Sequence, residues 1–533
     1  MSSCLIQSWK RTKAGQVKEF MSVKILGKFS DRVSDRYTEN MLNQYEAPIS
    51  HAMKEYAGDG ALAFHTPGHK QGLGAHRLLR ELITEEGLRQ EVSLMEELDD
   101  LHEPEGCIKA AEALAAELWG AEDTLFIING TTGAIHAMLL GTLSPGDEVL
   151  IPRNAHRSII GGVILAGAVP VYVQPEVDER LGIAMGLSLS AVQSAIAAHP
   201  GARALVAVYP TYYGYGCDLR AIAEAVHGAG MLLLVDEAHG AHLRFSDELP
   251  PQAIELGADV AAQSTHKLLG SMTQTSMLHI GSHRVDRGRL RQAAGLLQST
   301  SPNQLLLASL DIARLQMAEE GRERMAEAVR LSRLLRSEIN QISGLYSPGL
   351  ESCRAGADSG AVCLDYTKVT VNLAGLAVDG PEAELILRHQ YKIQCELSDA
   401  CNLLFIISMA DNEAVVARLL AALKDLAAKH LQGERQARKN ECRGAMGDMP
   451  VPRQRISPRE AFFADYKAIA LAGAVGAVAA ETVAFYPPGV PLLCPGEEIT
   501  AEIVEYIRRY QALGMRLSGP ADGRLATIRV IQG

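Results

Sequence analysis

The chain has 533 residues, 47% of them hydrophobic and 21% charged, which is enough for roughly two to four globular domains with well-formed cores. Its net charge of −12 and its 5% of aromatic residues argue against nucleic acid as a partner, because phosphates need clustered basic residues and bases need aromatic rings. Neither a secretory signal nor a window long enough to span a bilayer is found, so we expect a cytoplasmic protein that does not bind membranes.

The N-terminal part of the chain shows no clear periodicity, and residues 1–41 are predicted to form an N-terminal extension. Residues 42–335 alternate strand-like and helix-like patterns, which is typical of an α/β domain with a mostly parallel sheet and crossover helices. Strands are predicted at 125–129, 148–152, 169–173, 204–209, 231–236, 258–262 and 275–280, and helices at 132–140 and 158–166. The near-continuous apolar runs of these strands indicate that both faces of the sheet are buried.

The second half of the chain is predicted to hold smaller α+β units. A long amphipathic helix is predicted at 317–339, and a small α+β domain over 336–432 has predicted strands at 369–376 and 403–408 and helices at 381–390 and 412–431. Residues 433–460 are charged and rich in Gly and Pro, which predicts a linker, and residues 461–533 are predicted to form a C-terminal domain. The most apolar window, residues 469–480, is predicted to be a buried helix.

Polar motifs follow several of the predicted strands, at the edge of the sheet where α/β proteins bind ligands. The motif GTTG at 130–133 combines hydroxyl groups with helix N-terminal amides and suits an anion, although an ordinary helix cap explains it as well. His156 suits either stacking on a planar ligand or capping of the next helix. Asp236 ends a buried apolar strand, where its carboxylate serves either as a helix cap or as the partner of a cationic group of a ligand.

Lys267 lies between the predicted strands 258–262 and 275–280 and directly follows His266. Taken alone, a solvated loop lysine is as good an interpretation as a functional one. Together with the motifs at the neighbouring strand ends, however, it predicts a site for pyridoxal phosphate. The lysine amine would form a Schiff base with the carbonyl group of the cofactor, and Asp236 would keep the ring nitrogen protonated.

The motifs together resemble those of the Orn/Lys/Arg decarboxylases, which are pyridoxal-phosphate-dependent enzymes of fold type I. The cofactor-attachment signature of that family is matched by STHKLLGSMTQTS at residues 264–276. Further matches are FHTPGHKQG at 64–72, LDDLHEPEG at 98–106, NGTTG at 129–133, RNAHRS at 153–158, DEAHGAH at 236–242, TSPNQLLLASLD at 300–311 and YPPGVPLLCPGE at 486–497. The resemblance covers residues 43–500, and the length is similar to that of the short arginine and lysine decarboxylases of Gram-positive bacteria.

The resemblance implies a large fold type I domain that binds the cofactor, smaller α+β C-terminal domains, and decarboxylation of a basic L-amino acid. Arginine, giving agmatine, is the expected substrate, with lysine giving cadaverine or ornithine giving putrescine as alternatives. Lys267 is implied as the Schiff-base lysine, Asp236 as the partner of the ring nitrogen and His156 as the stacking residue. A separate hypothesis is that Lys267 or His266 returns the proton to the substrate. The implied cofactor-binding set consists of Thr131, Thr132, Gly133, His156, Asp236, His239, Ser264, His266 and Lys267, with no metal ligand.

The resemblance also implies a homodimer or higher homo-oligomer with the site at the interface, where Thr300 and Ser301 would reach the cofactor phosphate of the partner. Two histidines, His65 and His69, are expected near the mouth of the site, with hydrogen-bonded loop histidines as the alternative. The carboxylate that binds the cationic end of the substrate is left open among Glu96, Glu97, Asp99, Asp100 and Glu481, for each of which a helix-surface or structural role is the favoured interpretation. Three other functions remain as alternatives: a fold type I aminotransferase or lyase, a cofactor-binding regulator without catalytic activity, and a substrate-binding or stabilising partner protein.

Overall fold

The computed structural model describes residues 43–354, 358–431, 449–486, 489–512 and 515–532. The predicted N-terminal extension, residues 1–41, and residues 433–448 of the predicted linker lie outside the described residues. Within the described part of the chain, no helix has both the length and the apolar composition needed to cross a bilayer.

A seven-stranded sheet forms the centre of the fold and confirms the predicted α/β architecture. Its strands in chain order are β1 (Asp123–Ile127), β2 (Glu148–Pro152), β3 (Val169–Val173), β4 (Ala204–Val208), β5 (Leu232–Asp236), β6 (Val260–Gln263) and β7 (Ser276–Ile280). The spatial order is β1-β7-β6-β5-β4-β2-β3, and β7 alone runs opposite to the other six. The sheet is therefore mostly parallel, and each of its strands overlaps a predicted one.

Helices cover both faces of this sheet, which explains why its strands are so apolar. The helices of this region are α1 (Pro48–Gly58), α2 (Arg77–Leu82), α3 (Glu85–Gln90), α4 (Cys107–Trp119), α5 (Gly130–Thr142), α6 (Arg157–Ala166), α7 (Leu189–Ala198), α8 (Leu219–Gly228), α9 (Thr265–Leu268), α10 (Arg287–Leu297) and α11 (Gln304–Ile339). Along β5, Leu234 packs on one face with residues of α5, α6 and α10, whereas Leu233 and Val235 pack on the other with residues of α7 and α8. The predicted helices at 132–140, 158–166 and 317–339 are confirmed as parts of α5, α6 and α11.

Smaller antiparallel sheets follow the large one. The strands β8 (Lys368–Asn372), β9 (Leu397–Ser398) and β10 (Asn402–Ile406) form a sheet with the order β8-β10-β9, accompanied by α12 (Gly380–Ile386) and α13 (Glu413–His430). The C-terminal region contains α14 (Pro458–Phe463), β11 (Tyr466–Ala470), β12 (Val483–Tyr486), β13 (Val490–Leu493), α15 (Ala501–Ala512), β14 (Arg516–Ser518) and β15 (Thr527–Ile531). The elements predicted between 369 and 431 are confirmed in type and order, whereas the predicted domain boundaries stay predictions.

The predicted buried helix at 469–480 is wrong. Its first residues belong to β11, which pairs with β15, and the chain then passes through a short 3-10 turn, Leu471–Gly473. Gly476 has a φ of +85°, which a helix does not allow, and the Ala479 amide donates to the carbonyl of Glu497. The glycines at 473 and 476 offset the helix preference of the alanines, so the hydrogen bonds offered by the neighbouring segments decide the conformation.

A buried ion pair joins the C-terminal region to the large domain. The Arg153 guanidinium donates to both carboxylate oxygens of Glu497, at 2.6 and 3.0 Å, and to the carbonyl of Leu492 at 2.8 Å. Both side chains of the pair are almost completely shielded from solvent, at 1% and 0% exposure. Because Arg153 directly follows β2, this contact holds the C-terminal region against the same sheet edge that carries the predicted site.

Candidate active site

A cavity of about 580 Å³ opens at the carboxyl ends of β2, β4, β5 and β6. The loops after these strands form its floor, and apolar side chains of the C-terminal region, among them Phe485, Leu492 and Met515, form part of its wall. Eight of the nine predicted cofactor-binding residues line it, namely Thr131, Thr132, His156, Asp236, His239, Ser264, His266 and Lys267. Strands that are distant in sequence thus bring the predicted residues together, as expected for the ends of parallel strands.

Lys267 occupies the middle of this group. It lies on α9, the single helical turn after β6, and its Nζ is 2.9 Å from Nε2 of His239 and 5.9 Å from the ring centre of Tyr212. Burial lowers the pKa of Lys267, while the carboxylates of Asp236 and Glu396 act in the opposite direction. The amine therefore loses its proton more readily than that of a surface lysine, which favours a nucleophilic role.

Asp236 is the last residue of β5 and is buried at 5% exposure. Its Oδ1 accepts a hydrogen bond from the Ala238 amide at 3.1 Å. Burial raises the pKa of Asp236, and the nearby charge of Lys267 lowers it. No helix begins at this residue, so the helix-cap interpretation is wrong. A carboxylate kept in such a place suits a ligand that brings a positive charge.

His156 caps the helix that follows it and also lines the cavity. Its Nδ1 accepts from the Ser158 amide at 3.2 Å and thereby caps α6, which confirms the capping role. The ring also lines the cavity, but stacking on a ligand stays a prediction. Burial, with smaller effects of Lys267 and Arg157, lowers the pKa of His156 to about 4. The ring is therefore neutral at physiological pH, as a flat contact with a cationic ring system requires.

The end of the cavity near α5 is rich in hydrogen-bond donors. The Thr131 hydroxyl contacts the hydroxyl groups of Ser264 and Ser276, the latter at 2.9 Å. Asn129 at the start of α5 makes no side-chain capping bond, and the Gly130 amide donates to the carbonyl of Gln274 at 2.8 Å. The amides that follow Gly130 at the start of the helix are therefore the ones that suit an anion. Nδ1 of His266 donates to the carbonyl of Thr275 at 2.7 Å, which fixes that ring beside the same group.

Gly133 is the one predicted cofactor-binding residue that does not line the cavity. A Cβ built on it would lie 2.9 Å from Cβ of Asn129, so a larger residue would disturb the turn that starts α5. The absence of a side chain at Gly133 therefore allows the close contact with Asn129 at the N-terminus of α5. The contact is structural, and direct binding of the phosphate by Gly133 stays a prediction.

These residues fit pyridoxal phosphate. The cavity holds a lysine with a lowered pKa, a buried carboxylate beside it, and a cluster of hydroxyl and amide donors at one end. Such a set matches a carbonyl group, a protonated ring nitrogen and a phosphate, respectively. Among the described residues no group of His, Cys, Asp and Glu is arranged to hold a metal ion.

Three residues in or next to the cavity were given no role by the sequence analysis: Tyr212 and Glu396, which line it, and Lys368, which contacts the cavity residue His239. Tyr212 follows β4, and its hydroxyl donates to Glu396 at 2.6 Å, while its ring centre is 4.4 Å from that of His239. Lys368, from β8, places Nζ 2.9 Å from Nδ1 of the same histidine. Tyr212 could have been found from its place after a strand. Glu396 and Lys368 come from the small sheet, and no local pattern marks them.

The carboxylates predicted for the substrate lie elsewhere in this protomer. Asp99 accepts from the amides of Gly106 and Ile108, and Glu481 accepts from those of Ala521 and Arg529, so both have structural hydrogen bonds. None of the five candidates lines the cavity, and neither do the two predicted mouth histidines. The described carboxylates that do line it besides Asp236 are Glu396 and Asp399.

Comparisons with known proteins agree with this geometry. Residues 47–415 match the family model of the Orn/Lys/Arg decarboxylase major domain, and residues 445–521 match that of the C-terminal domain. The chain is 40% identical over 491 residues to a Bacillus subtilis protein named arginine decarboxylase, covering 92% of this chain and 99% of that protein. A protein of the same name from Bacillus anthracis is 40% identical over 495 residues, covering 92% and 98%.

Solved structures show the same fold. Lysine decarboxylase A from Pseudomonas aeruginosa superposes with a TM-score of 0.78 at 24% identity, covering 92% of this chain and 81% of that one. A lysine decarboxylase from Francisella novicida gives a TM-score of 0.76 at 23% identity, covering 98% and 84%. With its family models, its motifs and this fold in agreement, the chain belongs to the Orn/Lys/Arg decarboxylase family of pyridoxal-phosphate-dependent, fold type I enzymes.

Proposed function

We propose that this protein decarboxylates L-arginine to agmatine and CO2, with lysine and ornithine as the alternative substrates. The observation that carries the reaction type is the partly buried Lys267 beside the buried Asp236 in one cavity. The preference for arginine is supported by relatives of that name at 40% identity, whereas a Pseudomonas aeruginosa lysine decarboxylase is 27% identical.

The residues proposed to hold the cofactor form three groups, which contact its carbonyl carbon, its ring and its phosphate. Lys267 would bind its carbonyl carbon, Asp236 would face its ring nitrogen, and His156 would lie on the ring, with His239 close to the lysine. The phosphate would be held by Thr131, Thr132, Ser264 and His266, with Gly133 shaping the turn. When bound, pyridoxal phosphate supplies a ring that accepts the electron pair left behind when CO2 departs.

The chain's own groups would then control charge, protons and water. Asp236 keeps a negative charge where a ring nitrogen is to stay protonated, and His156 remains neutral because its pKa is about 4. Lys267 and His266 are proposed as the groups that return a proton to the substrate carbon. Apolar side chains such as Phe485 and Leu492 cover the cavity, which excludes water and strengthens these electrostatic interactions.

Glu396 is our candidate for the carboxylate that binds the cationic end of the substrate. It lies at the exposed edge of the cavity, and its influence on the pKa of Lys267 places its charge near the amine. Asp399, the other candidate, already accepts from Tyr213 and from the Cys401 amide. Glu396 accepts from the Tyr212 hydroxyl but is exposed, so it has more room for a guanidinium, which forms paired hydrogen bonds with carboxylates.

For Glu396→Gln we expect the KM for arginine to rise about tenfold, because a charge-assisted hydrogen bond at a partly exposed site is replaced by a neutral one. The kcat should change much less, since the reacting end of the substrate is untouched. Steady-state rates of CO2 release measure both quantities. A matched control is Glu338→Gln, an exposed glutamate that pairs with Lys424 far from the cavity. An unchanged KM in the first variant would contradict this assignment.

The substrate itself is tested by offering arginine, lysine and ornithine separately to the purified full-length protein with pyridoxal phosphate. We expect CO2 and agmatine from arginine, at a kcat/KM at least about tenfold above that for the other two. Cadaverine or putrescine as the main product would support the proposed decarboxylation but show that lysine or ornithine, not arginine, is the substrate. A keto acid instead of CO2 would indicate an aminotransferase, and a bound cofactor without any product would indicate a non-catalytic binding protein.

We also propose that the protein is a cytoplasmic homodimer or a higher homo-oligomer. Four large apolar side chains in the segment before α3 are strongly exposed in the single chain, namely Leu62 at 83%, Phe64 at 93%, Leu73 at 87% and Leu82 at 79%. Several strongly exposed apolar side chains in one segment of the chain suit an interface between copies. Sedimentation at the mass of one chain would contradict the proposal.

A further inference from the structure

The ring of His239 forms a bridge between two lysines. Its Nε2 is 2.9 Å from Nζ of Lys267, and its Nδ1 is 2.9 Å from Nζ of Lys368. His239 is buried at 6% exposure and Lys368 is completely buried. Gly214 has a φ of +91°, and a Cβ built on it would lie 2.8 Å from Cβ of Lys368, so the stem of this lysine is closely packed. Burial and close packing thus fix the side chains of the bridge in place.

The hydrogen-bond donors and acceptors of this bridge limit how many protons Lys267, His239 and Lys368 can carry together. A neutral imidazole has one N–H donor and one acceptor nitrogen, and a lysine ammonium can only donate. If His239 is neutral, one lysine can donate to it as an ammonium while the other must accept from it as a neutral amine. If His239 were charged, both lysines would have to be neutral. The three groups together therefore accommodate one positive charge.

The charges around the bridge agree with a neutral histidine. Burial, together with Lys267 and Lys368, lowers the pKa of His239 well below its ordinary value, and His156 and His242 face it as further bases. Burial lowers the pKa of Lys368 to about 8, against the attraction of Asp365 and Glu396. Lys267 is faced by Asp236 and Glu396. Both amines are thus within reach of the neutral state.

We propose that Lys368 is a positioning residue that shares a single proton with Lys267 through His239. In the transfer, the proton on Nζ of Lys267 moves to Nε2 of His239, and the proton on Nδ1 moves to Nζ of Lys368. His239 ends in its other neutral form, and the total charge is unchanged. Lys267 is left as a neutral amine, which is the form that can attack a carbonyl carbon.

This inference rests on the proposed function in one respect, that Lys267 is the lysine that holds the cofactor. An ordinary lysine with a pKa near 10.4 is neutral to only about 0.1% at pH 7.4. A nearby amine that takes over the charge raises this fraction without exposing Lys267 to water. The arrangement accordingly explains why a second, fully buried lysine lies behind the first.

The test uses the full-length chain freed of cofactor, in which the pH dependence of Lys267 acetylation is followed by mass spectrometry. In Lys368→Met the proton acceptor and its charge are gone, so we expect the pH of half-maximal reactivity to rise by about one unit. In Lys368→Arg a permanent cation donates to Nδ1 of His239, so Nε2 of His239 carries the proton and its N–H points at Lys267. That N–H needs an acceptor, which favours the neutral amine of Lys267, so we expect the pH of half-maximal reactivity to fall. Shifts of both variants in one direction, or no shift in either, would overturn the proposal.

The controls separate this effect from a loss of structure. Thr370 lies on the same strand as Lys368, and its buried hydroxyl makes no hydrogen bond. Thr370→Val should therefore leave the pH profile as in the parent protein. If the methionine variant does not fold, Lys368→Gln should give the same upward shift, because its amide can accept the hydrogen bond from Nδ1–H of His239 but carries no charge and takes up no proton. Because neither cofactor nor substrate is present, the result stands even if arginine is not the substrate. Retention of covalent cofactor in Lys267→Ala would instead refute the proposed function.

Discussion

Replacing Lys267 by alanine should abolish covalent attachment of pyridoxal phosphate and reduce kcat by about four orders of magnitude or more. The reason is that the variant loses the only described lysine amine that both lines the cavity and lies beside Asp236. Attachment is read from the absorbance of the lysine-bound cofactor and from a borohydride-stabilised mass increase on the peptide containing residue 267. The rate is read from CO2 release with arginine.

Lys267→Arg is the matched control for charge. It keeps a cation near Asp236 and His239, but its guanidinium does not form a Schiff base at neutral pH. We therefore expect the arginine variant to lose attachment as completely as the alanine variant, with a smaller change in unfolding temperature. Turnover that survives in either variant, or a covalent cofactor found on another lysine, would show that the site has been assigned to the wrong residue.

The parts of the fold that could be predicted are those where packing leaves a repeating pattern. Leu233, Leu234 and Val235 face alternate sides of the sheet, and both sides are buried, so the strand appears in the sequence as an unbroken apolar run. Residues 469–480 are equally apolar, but their alanines and glycines pack against whatever lies next to them. There the partner strands decide the conformation, and these cannot be read from the segment itself.

The same contrast applies to the site. Thr131, His156, Asp236 and Lys267 were predictable because each follows a strand, and parallel topology brings strand ends to one edge. Glu396 and Lys368 approach that edge from a different sheet, across more than 100 residues of chain. Their contacts with Tyr212 and His239 depend on how two sheets pack, which local sequence does not specify.

Replacing Asp236 by asparagine should lower kcat by about two to three orders of magnitude while the cofactor still attaches to Lys267. Asparagine keeps the shape and the hydrogen bond from the Ala238 amide, but it removes the negative charge at the end of β5. Loss of that charge also lowers the pKa of Lys267 further, since Asp236 is the first of the groups that raise it. Attachment should therefore extend to lower pH even though turnover fails.

Glu237 offers a control that differs from Asp236 by a single position. It is also fully buried, but its carboxyl group accepts from the Ala253 amide at 2.7 Å and from Gln263 at 2.9 Å and does not line the cavity. Burial raises its pKa to about 8, so it is mostly protonated at neutral pH and Glu237→Gln changes little charge. We expect that variant to keep kcat within about threefold. Equal losses of kcat in Glu237→Gln and Asp236→Asn would mean that general stability, rather than the charge of Asp236, limits turnover. A near-normal kcat in Asp236→Asn would show that Asp236 has no part in the mechanism.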